Sequence, residues 1–167
     1  DNMKFLLDKD DCLKYYKTDI SFENDSRIID EDVLIYNYCQ YESDIHLIYL
    51  QKDGALNYIL FKDEKMSESV ISKFDTRSNT YSQIYILIIK NKINIFYSYS
   101  NIINSNICTL HHVVIDSGKQ SKHNIIRFVS KTRENPFVVH NDSGGNIHLL
   151  YNTVSDNYSY IFYTYFN

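Results

Sequence analysis

Tryptophan is absent, proline occurs once, and 167 residues hold only four glycines and three cysteines. Cys12, Cys39 and Cys108 are odd in number and widely spaced, which excludes a disulfide framework and a zinc knuckle. Cys39 and Cys108 stand in apolar runs, where a reduced, buried thiol is expected. The longest apolar run, Ile84 to Ile89, is far short of the ~20 residues a membrane-spanning helix needs. No signal peptide opens the chain. It begins at Asp1 rather than Met, as expected of a trimmed or processed chain or of one segment of a longer protein, so the compartment stays open. The net charge of −4 is mild, and no like-charge block exceeds Asp30–Asp32. That argues against nucleic acid and anionic membrane as partners, since both attract basic patches.

What is present is strand-forming. Hydrophobic residues make up 44% and charged residues 23%, a balance that gives a folded domain rather than a disordered one. Sixteen Tyr and nine Phe accompany abundant Ile and Asn. AT-rich codons account for that bias, as in a low-GC bacterium, but Ile, Tyr, Phe, Val and Thr favour pleated strands whatever their origin.

One pattern repeats: Asp44-Ile45-His46-Leu47-Ile48-Tyr49, Lys92-Ile93-Asn94-Ile95-Phe96-Tyr97 and Asn146-Ile147-His148-Leu149-Leu150-Tyr151, with separations of 48 and 54 residues. A weaker copy, Asn2 to Leu7, aligns Lys4 with His46. Turn residues and a second apolar run follow each copy, as in Lys52-Asp53-Gly54 before Leu56 to Phe61. A further strand-like run precedes three of the copies (Val33 to Tyr38, Gln83 to Ile89, Phe137 to His140). Ser69 to Phe74, Asn124 to Ser130 and Ile28-Ile29 supply fourth members. No segment keeps a helical period over three turns.

Each unit therefore reads as four short strands joined by turns, which makes antiparallel meanders. The units span roughly 1–32, 33–82, 83–134 and 135–167 of one repeat domain. The run Ile45 to Leu50 is apolar on both faces apart from His46, so it needs a neighbour on each side. Four-stranded sheets stacked around an axis supply that, and the expected fold is an all-β propeller or propeller fragment of about three and a half blades. A β-sandwich is the alternative; it would alternate more cleanly. A ring of such blades has ~4–8. This chain is thus expected to close a small ring itself, or to be completed by further chain or by another copy.

The run Asn135-Pro136-Phe137-Val138-Val139-His140, the Gly144-Gly145 turn, Asn146 to Tyr151 and Ser159-Tyr160 resemble a blade of sialidase-like bacterial β-propellers. The resemblance implies a fold more than an activity. The Ser-x-Asp-x-Gly-x-x-Trp box of that family is missing, so no sialidase catalytic residue is carried over.

Candidate ligand-binding residues fall into two groups. His46, Asn94 and His148 are equivalent in the repeat; they could face a central pocket or be hydrogen-bonded core or inter-blade residues. Arg27, Arg77 and Arg127 lie 50 residues apart and could together clamp a carboxylate or phosphate. Their distances to the following repeat strand differ, which argues for solvated arginines instead. His111 and His112 are adjacent in a strand and point to opposite faces, so no metal is expected. Asp53, Asp116, Asp142 and Asp156 sit beside turn residues, where Asp bonds local backbone. No nucleophile elbow and no phosphate-cradling glycine loop occur, and no catalytic residue or cofactor is expected. The reading is a non-catalytic module that binds a protein or a glycan. The alternative is a sialidase-like or other glycan-processing hydrolase.

Overall fold

The computed structural model describes residues 3–17, 26–63, 65–130, 135–155 and 158–166. They form fourteen strands in four antiparallel sheets and no helix. The first sheet holds β1 (Met3–Leu7), β2 (Leu13–Lys17) and β3 (Arg27–Asp30). In the second, β4 (Val33–Tyr41), β5 (Asp44–Gln51), β6 (Ala55–Lys62) and β7 (Lys65–Lys73) follow in order. The third repeats this with β8 (Asn79–Ile89), β9 (Lys92–Asn101), β10 (Ile107–Asp116) and β11 (Lys119–Val129). The fourth has β12 (Phe137–Asn141), β13 (Ile147–Ser155) and β14 (Tyr158–Phe166).

Turn chemistry sets these meanders. Lys90 and Asn91 both have positive φ, as do Ser117 and Gly118, the two-residue geometry that matches strand twist. Gly54 is obligatory for a second reason besides its φ of 93°: a Cβ there would lie 2.0 Å from the carbonyl oxygen of Phe74. Asp53 accepts the Ala55 amide and Asp142 those of Gly144 and Asn146, the local bonding expected of turn aspartates. Asp156 lies outside the described residues.

Successive sheets stack face to face, and their apolar sides meet in three seams. Phe5, Leu13, Leu47, Tyr49 and Ile59 fill the first; Ile48, Leu56, Ile86, Ile95 and Val113 the second; Phe96, Leu110, Phe137 and Leu149 the third. Each middle sheet thus has a forward face, toward the following sheet, and a backward face, toward the preceding one. Strand β5 is buried along nearly its whole length because both faces are covered. Burying each such Ile, Leu or Phe contributes roughly 1.5–3 kcal/mol. The buried Tyr49 hydroxyl crosses the first seam, 2.9 Å from Asp30 Oδ2, and lies 2.6 Å from Glu68 Oε1. Four sheets with three seams do not form a two-sheet sandwich.

The first repeat is offset from the sequence alignment. Leu7 pairs with Leu13 as Leu50 pairs with Leu56, and both loops between them are five residues long. Met3, not Lys4, therefore occupies the place of His46. A one-residue slip exchanges faces: Phe5 is buried in the first seam and Lys4 is exposed on the opposite side. Strands β7 and β11 also begin earlier than their apolar residues indicate, since their first halves are exposed and polar and are held by ladder hydrogen bonds.

Candidate functional site

The sheets converge along their first strands: β4 packs on β8, and β8 on β12. A cleft of about 340 Å³ opens there, lined by Leu34 to Asn37 of β4, Ser82 to Tyr85 of β8, Leu7 and Asn135. Among the described residues the lining consists of amides, hydroxyls and apolar groups, with no carboxylate, imidazole or cation.

Alternation along β4 and β8 places these groups. Asn37 lies on the forward face of its sheet, where its Oδ1 accepts the Ile86 amide at 3.1 Å and leaves the side-chain NH₂ for another acceptor. Gln83 is buried and fully used. Its Nε2 donates to Tyr85 Oη at 2.8 Å and Asn135 Oδ1 at 3.2 Å, and its Oε1 accepts the Phe137 amide at 3.4 Å. It therefore fixes Asn135, which holds a φ of 52°, against the third sheet. Ser82 Oγ lies 3.0 Å from Ser98 Oγ. Tyr36 Oη donates to the Phe5 carbonyl at 3.1 Å. Burial raises the pKa of Tyr36 and of Tyr85, so both phenols are neutral at any physiological pH.

None of the six candidate ligand-binding residues lines this cleft. His46, Asn94 and His148 instead occupy one repeated position on the second strand of their sheets, each bonded diagonally to the third strand. His46 Nδ1 lies 2.8 Å from Tyr58 Oη, Asn94 Oδ1 2.9 Å from His112 Nε2, and His148 Nδ1 2.7 Å from Tyr163 Oη. The fourth-sheet copy extends further: His148 Nε2 lies 3.1 Å from Asp142 Oδ2. Hydrogen bonds from Asn146 and then His148 hold the Asp142 carboxyl well below the usual carboxylate range.

The arginines are dispersed. Arg27 lies on β3, Arg127 on β11 and Arg77 in the connection before β8; all three are exposed. No hydrogen bond joins any two of the six candidates among the described residues.

His111 and His112 point to opposite faces of β10, as adjacent strand residues must. His111 stacks between Tyr97 and Tyr99, and neither ring nitrogen has a hydrogen-bond partner. Burial lowers both histidines to about 4. Among the described residues no group of three metal-ligating side chains converges.

The sequence marked Asn37, Gln83 and Asn135 only as members of strand-like runs or of the blade resemblance, not as site residues. The available signal was an amide inside an otherwise apolar strand, as in Leu34-Ile35-Tyr36-Asn37 and Gln83-Ile84-Tyr85. A buried amide must find partners, so such positions mark where strands from different sheets meet.

No family model matches this chain. No curated protein matches it either.

Proposed function

We propose that the chain is an arc of a β-propeller and works as a non-catalytic binding module whose ligand is an uncharged glycan taken at the cleft between β4, β8 and Asn135. Four antiparallel meanders, stacked and converging on their first strands, support the propeller reading. The observation that carries the ligand class is the neutral lining among the described residues: free amide donors on Asn37 and Asn135, hydroxyls, and the flanking rings of Tyr36 and Tyr85. Amides and hydroxyls match the donor and acceptor pattern of sugar hydroxyls, while tyrosine rings cover their C–H faces. The described residues of the cleft carry no charge, so they offer an anionic or cationic ligand nothing to offset desolvation.

Saturation-transfer NMR with a panel of neutral and acidic saccharides tests the reading. Neutral saccharides are expected to bind. Asn135→Asp keeps the acceptor that Gln83 uses but replaces the NH₂ donors with a charge, and it is expected to weaken binding at least about tenfold, or ~1.4 kcal/mol. Preference for acidic saccharides, or indifference to Asn135→Asp, would contradict it. The hydrolase reading has no comparable support, because the arginines that motivate it lie outside the cleft.

A further inference from the structure

The forward face of the fourth sheet is built like a seam, but among the described residues nothing packs on it. Repeat equivalence makes this quantitative. Leu150 stands where Ile48 and Phe96 stand, and Ile161 where Leu13, Leu56 and Leu110 stand. The residues at these places in the first three sheets, with Phe5 as the first-sheet counterpart of Ile48, are buried, Phe5 at 8% and the others at 1% or less, whereas Leu150 is 39% and Ile161 76% exposed. Val138, Tyr163 and Tyr165 extend the same open apolar face. A contiguous patch of that kind marks an interaction surface.

We propose that this face docks the backward face of the first sheet in a second copy of this chain. The argument is continuity with the three seams already formed. In each seam the forward face of one sheet meets the backward face of the next, and forward never meets forward. The one backward face left open among the described residues belongs to the first sheet, where Leu6 is 52% exposed and Ile28 and Lys4 stand beside it. Leu6 holds the place of Tyr49 and Tyr97, and Tyr97 shares a seam with Leu56, the counterpart of Ile161. Lys4 on this face and the exposed tyrosine rings of the fourth sheet would supply the cation and the ring faces of a cation–π contact. Such head-to-tail contacts close a ring when the rotation permits. Two four-sheet arcs would give eight sheets, within the ~4–8 of known propellers; this stoichiometry alone rests on the propeller reading.

Light scattering behind a sizing column, together with thiol cross-linking, tests the contact. The chain is expected to elute at twice its 19.8 kDa mass, and Ile161→Lys at the monomer mass. Ile161 is exposed within the single chain, so an unchanged melting temperature of diluted Ile161→Lys shows that the fold survives. Mixing Leu6→Cys with Ile161→Cys chains and mapping the linked peptides is expected to give 6–161 links. A monomeric parent chain, or 161–161 links in place of 6–161 links, would overturn the proposal. Open-ended polymers carrying 6–161 links would keep the contact and refute the closed ring.

Discussion

The second and fourth sheets are built from the same repeat, yet one is the interior of the molecule and the other its surface. His46 and His148 are equivalent, and so are Tyr58 and Tyr163, with the same diagonal hydrogen bond in both sheets. In the second sheet His46 is buried and its Nε2 has no partner; in the fourth, His148 reaches Asp142 and Tyr163 is exposed. Burial here belongs to the neighbouring sheet and not to the residue. The consequence is that one substitution, made at equivalent positions, should have different costs.

The largest contrast is expected from large-to-small changes. Leu56→Ala removes a side chain that bridges the second seam and is expected to cost about 2–5 kcal/mol. Ile161→Ala, at dilutions where the chain is single, is expected to stay within about 0.5 kcal/mol. Denaturant unfolding of both variants reads the difference, and equal losses would break the comparison. Gly54→Ala belongs with the severe class, since the new methyl meets backbone that has no way to yield; its cost is expected to exceed about 3 kcal/mol.

Acid should act on the central sheets first. His111 and His112 have folded values of about 4, below the ordinary 6.5, because burial disfavours their charged forms. A depressed histidine binds its proton in the unfolded chain before it does so in the folded one. Stability is therefore complete above about pH 6.5 and falls as pH drops toward 4, by about 1.4 kcal/mol per pH unit for each histidine. His111→Phe is expected to remove one proton's worth of that slope. It should also stabilise the chain at pH 7 by about 1 kcal/mol, since two unpartnered buried nitrogens disappear. Unfolding free energies measured across pH 4–7 check both statements, and an unchanged slope would contradict the assignment.

The smallest contrast concerns the repeated polar pair. Tyr58→Phe leaves His46 buried with neither ring nitrogen bonded and is expected to cost about 1–3 kcal/mol. Tyr163→Phe exposes His148 to water, which replaces the lost bond, and is expected to cost a few tenths of that. Melting curves of the two variants would show whether position in the stack decides the cost.

The repeat and its strand count were legible because Ile-His-apolar-apolar-Tyr and its turns are local patterns, and local patterns survive in a single sequence. The three-four-four-three division of strands follows from where those patterns start and stop. Register in the first repeat was less legible. Lys4 and Met3 both fit a loose apolar match, and only the pairing of Leu7 with Leu13 separates them. The cleft was not legible at all. Its residues come from β4, β8 and the segment before β12, and what joins them is the approach of three sheets, which no spacing along the chain encodes. Gln83 shows this best: its partners Asn135 and Phe137 are more than fifty residues away.

Amide hydrogen exchange at dilutions where the chain is single tests the stacked arrangement most directly. Amides of β5, β9 and β10, in sheets covered on both faces, are expected to exchange orders of magnitude more slowly than those of β14, an edge strand whose forward face is open. Protection of β14 equal to that of β5 would contradict the account, because it would mean that the fourth sheet is already covered.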